Sequence, residues 1–249
     1  MMNNNNNNNN NKYNILFICT SSTPGLWLHE LSTPFYIFQD VGYNCDIASI
    51  SNSIVVDNAS INSSHISIES EKFMNDQQAQ LKFQSPYSLE NIINNNLNKY
   101  QCVYLCGGHG CCKDFINNNQ LTKILEHVYN VNKGCLSAIC HGALGLLDVK
   151  DDDKFILKGK FVCGFTNEEE NELNLLSKVP ILVEDSLDNR GCFIVKGAPF
   201  TPKACVDGRI MTAQNPQSSK EAAERTLDIL RSLGPNYSTE NNVNKPWGT

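Results

Sequence analysis

Cys140 and His141 carry the clearest chemical signal in the chain, because they follow an apolar run and precede a glycine. The small and apolar residues 134–139 are typical of a buried strand, and the residues from Gly142 onward are compatible with a helix. A cysteine at such a strand-to-helix corner lies beside a helix N-terminus, whose dipole favours a thiolate. His141 could then serve as the base of a cysteine nucleophile. The competing interpretation is a buried structural cysteine followed by an unrelated histidine.

An acidic group and a glycine-rich loop could complete such a site. Glu30 lies in an apolar helical segment, where burial would raise the pKa of its carboxyl and let it hold a proton. A solvent-facing glutamate is the simpler interpretation of the same pattern. Gly107 and Gly108 follow a predicted strand, so their N–H groups could bind an oxyanion while the next residue, His109, enters the same cleft. An ordinary tight turn is the alternative for this loop.

Three consecutive glutamates at 168–170 begin a predicted helix, and one of them could orient His141 as the third member of a triad. Acidic residues are also common in a first helical turn, because they interact favourably with the helix dipole. Metal binding is only weakly indicated. The cysteines around residue 106 lack the spacing of zinc ligands, and no His-Glu-x-x-His segment occurs.

These groups require a scaffold, and the hydrophobic pattern predicts strands that alternate with helices. We therefore expect an α/β fold, a flavodoxin-like three-layer sandwich with a mostly parallel central sheet and a nucleophile elbow at Cys140. Pro34 is expected to break or restart the helix that follows the first strand. The predicted strands are 13–19, 43–50, 100–105, the run ending at 139, 161–164, 192–196, 204–207 and 210–213. The predicted helices are 75–81, 89–97, 121–131, 167–176, 182–189 and 221–233.

Composition narrows the classes of partner. A net charge of −6 and a pI near 5.4 argue against nucleic acid and anionic membranes. The N-terminus shows no signal-peptide pattern, so we expect a cytoplasmic protein whose eleven cysteines are reduced thiols.

The distribution of polar residues predicts one domain over residues 12–235. Residues 1–11 are an Asn tract that we expect to be disordered, and residues 236–249 are expected to form a loose C-terminal tail. Residues 51–98 are rich in Asn and Ser and suggest an insertion or lid between core elements.

The motifs together, over roughly residues 13–233, resemble the ThiJ/PfpI superfamily of the class I glutamine amidotransferase-like fold. The resemblance is strongest to its heat-shock chaperone branch, which includes the glutathione-independent glyoxalases (glyoxalase III, D-lactate dehydratase). The matching segments, in chain order, are 25–31 with Pro34, 56–60, 107–110 with Asp114, 138–142, 164–170, 206–209 and 212–216. The sequence departs from the usual pattern at Lys113, Ala143, Phe200 and Ala213, none of which removes a catalytic group.

The resemblance implies specific roles. Cys140 would be the nucleophile, His141 its partner, Glu30 a buried acid beside the sulfur, and Glu170 the residue that orients His141. It implies a cofactor-independent lyase that converts methylglyoxal, a 2-oxoaldehyde, to D-lactate through a hemithioacetal on Cys140. It also implies a homodimer. The alternatives are a stress-induced holdase chaperone, and a protein deglycase or redox sensor that uses the same thiol.

Overall fold

The computed structural model describes residues 13–95 and 97–234, so the Asn tract and the C-terminal tail lie outside the described residues. The elements, in chain order, are β1 (Asn14–Cys19), α1 (His29–Asp40), β2 (Asn44–Ser49), α2 (Ile68–Asn75), α3 (Gln77–Gln84), β3 (Tyr87–Ser88), α4 (Leu89–Asn95), β4 (Cys102–Leu105), α5 (Cys111–Asp114), α6 (Asn119–Glu126), β5 (Cys135–Ile139), β6 (Lys150–Asp151), β7 (Lys154–Phe155), β8 (Phe161–Val162), α7 (Asn167–Glu172), α8 (Val183–Asn189), β9 (Phe193–Ile194), β10 (Ala204–Asp207), β11 (Ile210–Ala213) and α9 (Ser219–Leu233).

A seven-stranded sheet in the order β10-β11-β5-β4-β1-β2-β3 forms the centre of the molecule. All its pairings are parallel except β10 with β11, which is antiparallel. Helix α1 packs against α9, and α4 packs against α6. The predicted α/β fold with a mostly parallel central sheet is therefore confirmed.

The central strands β1, β4 and β5 are mostly apolar and almost entirely buried because helices cover the sheet. In β1, the residues from Ile15 to Cys19 have no measurable exposure. Phe17 contacts the rings of Phe35 and Phe38 on α1 and of Tyr104 on β4, at centroid distances of 5.3–6.0 Å. This aromatic cluster fixes α1 against the sheet, and α1 carries Glu30.

Helix α1 continues through Pro34, so the predicted break is wrong. Pro34 lacks the N–H that would donate to the carbonyl four residues earlier, and its ring crowds that carbonyl, so the helix bears a cost at this position. Leu31, Phe35 and Phe38 are fully buried on the same helix, and their packing offsets that cost.

Several other elements differ from the predictions. Residues 51–98 are part of the main fold, because β3 forms the edge of the central sheet and Phe73 of α2 packs edge-on against Phe35. Their role as a lid stays a prediction. The predicted strand 161–164 shrinks to β8, which pairs with β9 in a separate two-stranded sheet. The residues after Cys140 form a 3₁₀ helix, Cys140–Leu146, in place of the expected α-helix.

Strands β5, β4 and β1 are neighbours, so the loops that follow their carboxyl ends meet at one edge of the sheet. These loops lead to Cys140, to Gly107 and to Glu30. Among the helices in the described ranges, none combines the length and the apolar character needed to cross a bilayer.

Candidate active site

Cys140 stands at the corner between β5 and the 3₁₀ helix, in a left-handed conformation with φ of +57°. A non-glycine residue in this region is strained by about 1–3 kcal/mol, and such strain is characteristic of residues held for function. The preceding residue, Ile139, is fully extended at φ −128° and ψ 142°. A Cβ atom on Gly142 would lie 2.5 Å from the carbonyl oxygen of Leu105, so glycine allows β4 to approach the corner. This geometry is that of a nucleophile elbow.

His141 connects the sulfur of Cys140 to a carboxylate. Its Nδ1 lies 3.2 Å from Sγ of Cys140, and its Nε2 lies 2.8 Å from Oε1 of Glu170. Burial lowers the pKa of His141 to about 4, so the imidazole is neutral at neutral pH. A carboxylate only accepts hydrogen bonds, so the proton of the neutral ring is placed on Nε2 and Nδ1 is left free to accept the thiol proton. The arrangement is a Cys-His-Glu triad.

Glu170 holds this tautomer because it is ionised. Burial opposes its ionisation, but hydrogen bonds from His109 and His141 outweigh that effect and hold the pKa of Glu170 at about 2. Glu168, by contrast, is exposed and Glu169 contacts other residues. Of the three glutamates considered from the sequence, the structure therefore brings Glu170 to His141.

The thiol of Cys140 is only 3% exposed, and burial, reinforced by the neighbouring Glu30 carboxyl, raises its pKa well above the ordinary value. The thiolate expected from a helix N-terminus is therefore wrong for this closed site, because burial outweighs the single backbone N–H that favours the charge. Cys140 is a thiol at rest. Nδ1 of His141, 3.2 Å from the sulfur, is placed to accept its proton.

Glu30 is fully buried, so the solvent-facing interpretation is excluded. Its Oε2 accepts a hydrogen bond of 2.8 Å from the N–H of Gly107. Among the described residues, Oε1 has no hydrogen-bond partner. Burial raises the pKa of Glu30 to about 8, against smaller lowering effects of the Cys140 side chain and the Gly107 N–H. At neutral pH the group is a carboxylic acid, and it can donate a proton.

The Gly107–Gly108 backbone fits tightly between neighbouring loops. A Cβ atom on Gly107 would lie 2.5 Å from Oε2 of Glu30 and 2.9 Å from Cβ of Cys140. Gly108 has φ of +111° and packs against the backbone of residues 25–27. The N–H of Gly107 is already bonded to Glu30, whereas within the described ranges the N–H of Gly108 has no acceptor. Gly108 is thus the better candidate for an oxyanion donor.

His109 lies beside the triad, as predicted for this loop. Its Nε2 is 3.1 Å from Oε2 of Glu170, and its ring centroid is 4.1 Å from that of His141. Its side chain is 15% exposed, whereas those of His141 and Glu170 are almost fully buried. His109 therefore lies on the accessible side of the site.

His109, His141 and Glu170 have ligand atoms within 4.8 Å of one another and could hold a metal ion. Two imidazoles and a carboxylate are ligands that zinc accepts. A metal on Nε2 of His141 would require the remaining ring proton to move to Nδ1, where it would face the sulfur. Metal binding and the general-base role of His141 therefore exclude one another.

Two residues that support the site were not singled out from the sequence. Glu169 is fully buried and accepts hydrogen bonds from Thr166 and from Phe200, Gln214 and Asn215 at 2.7–3.1 Å. The ring of Phe165 lies 4.9 Å from that of His141 and covers it. Thr166 and Glu169 form a capping box at the start of α7, a spacing that is legible in the sequence. That motif assigns Glu169 to the helix end and leaves Glu168 and Glu170 as candidates for His141, and the exposure of Glu168 decides for Glu170.

The structure thus brings together Cys140, His141, Glu30 and Glu170, with the loop 107–109 against them. Their catalytic and binding roles stay predictions.

Comparison with known proteins supplies an independent view of the chain. The family model of the DJ-1/PfpI family matches residues 14–228. The glutathione-independent glyoxalase HSP31 of Saccharomyces cerevisiae is 26% identical over 232 residues, which are 88% of this chain and 94% of that protein. Glyoxalase 3 of Candida albicans is 28% identical over 223 residues, covering 86% of this chain and 93% of that protein.

Solved structures show the same similarity. The X-ray structure of Rapid Encystment Protein 24 KDa from Francisella tularensis superposes with a TM-score of 0.80 at 33% identity, covering 89% of this chain and 99% of that one. The crystal structure of glyoxalase III from Candida albicans superposes with a TM-score of 0.79 at 23% identity, covering 87% and 97%.

Proposed function

This chain belongs to the DJ-1/PfpI family, and from that premise we propose that it is a glutathione-independent glyoxalase. Its substrate would be a small 2-oxoaldehyde such as methylglyoxal, its product D-lactate, and Cys140 its nucleophile. The similarity to HSP31 and Glyoxalase 3 over most of the chain supports this assignment. So does the closed site, because a sulfur that is 3% exposed admits only a small carbonyl compound.

One observation carries the proposal: a protonated carboxyl and a neutral imidazole both adjoin the same thiol. The pKa of Glu30 is raised to about 8, so its carboxyl holds a proton at neutral pH. The pKa of His141 is lowered to about 4, so its Nδ1 is a free base 3.2 Å from the sulfur. Conversion of a 2-oxoaldehyde to a 2-hydroxy acid moves protons without net oxidation. This conversion therefore requires an acid and a base beside the reacting carbon atoms.

In the first step, the sulfur of Cys140 adds to the aldehyde carbon while its proton passes to Nδ1 of His141. Glu170 stabilises the imidazolium that forms, as the carboxylate of a triad does. The product is a hemithioacetal, and the N–H of Gly108 or the acid of Glu30 stabilises its oxygen.

In the second step, the hemithioacetal oxygen takes the proton held by His141, and the neutral imidazole then removes the proton of the former aldehyde carbon. Glu30 gives its proton to the adjacent carbonyl oxygen, so an enediol forms. The imidazolium returns its proton to that adjacent carbon while Glu30 takes the hydroxyl proton of the carbon that carries the sulfur, which gives a thioester of 2-hydroxypropanoate. Water then cleaves the C–S bond, releases lactate and restores the thiol of Cys140. The atoms balance as methylglyoxal plus water giving lactic acid, and no step draws on glutathione.

The alternatives receive less support. A peroxide sensor requires a thiol of low pKa, whereas burial raises the pKa of Cys140 well above its ordinary value. The chaperone alternative is not favoured, since the relatives that match over most of the chain are named glyoxalases.

The proposal is tested by incubating the full chain with methylglyoxal without glutathione and measuring D-lactate with a stereospecific dehydrogenase. We expect turnover by the wild type and none by Cys140→Ser. Cys192→Ser is the matched control, because Cys192 is a buried thiol outside the site and serine keeps its hydrogen bond to the carbonyl of Leu157. Full turnover by Cys140→Ser, or no lactate from a folded wild type, would refute the proposal.

A further inference from the structure

A second pair of thiols lies outside the site, between the two-stranded sheet and the edge of the central sheet. Cys163 follows β8, and Cys205 lies on the edge strand β10. The side chains of the two cysteines lie close enough for each to shift the pKa of the other. The pair takes no part in the proposed glyoxalase chemistry.

Backbone contacts hold the two residues together. The N–H of Cys163 donates to Oγ1 of Thr212 at 2.8 Å, and Thr212 pairs with Cys205 in the antiparallel register of β10 and β11. The thiol of Cys205 also donates to the carbonyl of Phe161 at 3.3 Å. Two independent contacts thus place the Cys205 side chain against the β8 segment that leads to Cys163.

Cys205 differs from the other thiols in its exposure. All eleven cysteines lie within the described residues, and every one except Cys205 is buried. The adjacent Cys163 side chain lowers the pKa of Cys205 to about 7, and Lys203 also favours the thiolate, while burial and Asp207 oppose it. The same interaction, together with burial, raises the pKa of Cys163, so Cys205 is the thiol of the pair that ionises first.

We propose that Cys163 and Cys205 form a peroxide-reactive dithiol, in which Cys205 is oxidised and Cys163 resolves it to a disulfide. The Cys205 thiolate attacks one oxygen of a hydroperoxide, the O–O bond breaks, and an alcohol or water leaves, giving a sulfenic acid. The sulfur of Cys163 then displaces the hydroxyl as water and forms the S–S bond. Two thiols are oxidised by two electrons, and one peroxide is reduced.

Exposure, thiolate character and an adjacent second thiol are the three features that make a cysteine responsive to peroxide. A second pair of neighbouring cysteines in the chain lacks two of these three features. Cys102 and Cys135 pair directly across β4 and β5, but both are fully buried, and burial raises the pKa of Cys102 well above its ordinary value. Proximity alone would make both pairs reactive, whereas exposure singles out Cys163 and Cys205.

The test treats the full chain with a limiting amount of hydrogen peroxide, blocks the remaining thiols with iodoacetamide and maps the cysteines by mass spectrometry. We expect a loss of two hydrogens from the intact chain and a cross-linked peptide pair that contains Cys163 and Cys205. Dithiothreitol should reverse both. Cys102 and Cys135 should be recovered as alkylated thiols.

Cys163→Ser separates the two steps, because it leaves Cys205 without its resolving thiol. We expect dimedone to trap a sulfenic acid on Cys205 in this variant. Oxidation of other cysteines while Cys205 is recovered entirely as an alkylated thiol, or a disulfide that joins Cys205 to a different cysteine, would overturn the proposal. The wild-type map requires no substitution, so the inference stays testable even if Cys163→Ser folds poorly.

Discussion

Replacing Glu30 with Gln should change how the stability of the protein depends on pH. The unfolded side chain loses its proton near the ordinary pKa of 4.5, whereas the folded one keeps it up to about 8 because it is buried. Between these values the folded state binds one proton more than the unfolded state. The contribution of Glu30 to the free energy of unfolding of the wild type must therefore fall as the pH rises through this window. Gln has nearly the same shape and no proton to exchange, so this contribution disappears.

The magnitude follows from the pKa shift of Glu30. One pKa unit corresponds to about 1.4 kcal/mol, so a rise from 4.5 to about 8 amounts to about 5 kcal/mol once the folded carboxyl is ionised. Between about pH 5 and pH 8, the stability of Glu30→Gln relative to the wild type should increase by about 3–4 kcal/mol. Other groups titrate equally in both proteins, and their contributions cancel in the difference.

Urea denaturation followed by circular dichroism at several pH values measures this difference. Cys140→Ser is the control, because it alters the sulfur but keeps Glu30 buried, and its stability relative to the wild type should vary much less over the same range. A flat difference for Glu30→Gln would mean that Glu30 is ionised in the folded protein. Its proposed role as a proton donor would then be refuted.

Three further predictions concern turnover. Glu170→Gln places an amide beside Nε2 of His141 and can hold the wrong tautomer, so kcat should fall on the order of a hundredfold or more while the circular dichroism spectrum is unchanged. The pH profile of kcat/KM should be bell-shaped, rising through about 4 as His141 loses its proton and falling through about 8 as Glu30 ionises; a limb near pH 6.5 would contradict this assignment. Gly107→Ala would set a Cβ atom 2.5 Å from Oε2 of Glu30, so it should abolish lactate formation and lower the free energy of unfolding by about 1–3 kcal/mol. Gly197→Ala, whose nearest new contact is 3.2 Å, should be close to the wild type in both assays.

The sequence predicted the elements whose signal is local. A continuous apolar run identified β1, and small residues that end in Cys140 and Gly142 identified the elbow, because both patterns depend on only a few adjacent residues. The amphipathic spacing before Gly234 likewise predicted α9. Two-residue strands such as β8 have no such signal, since their pairing depends on what lies beside them.

The protonation state of each site residue depends on its burial in the folded protein, and no local pattern in the sequence reveals that burial. Glu30 has the same neighbours in the sequence whether α1 turns it inward or outward, and only contact with Gly107 decides between them. The helix N-terminus beside Cys140 favours a thiolate, but the surrounding core removes water and reverses that preference. Among the three glutamates, the capping box with Thr166 was readable and would have excluded Glu169, but only the exposure of Glu168 in the fold leaves Glu170.

The separation of the site residues along the chain has a consequence for folding. The Glu30–Gly107 hydrogen bond spans 77 residues and the His141–Glu170 hydrogen bond spans 29. Contacts between distant residues cost more loop-closure entropy and form slowly, and a parallel sheet consists mainly of such contacts. A growing chain that has reached Cys140 lacks its carboxylate until α7 has been added. Recovery of catalysis during refolding should therefore report that the whole domain has folded. A fragment that ends before α7 would contain Cys140 but lack Glu170, and we expect it to be inactive.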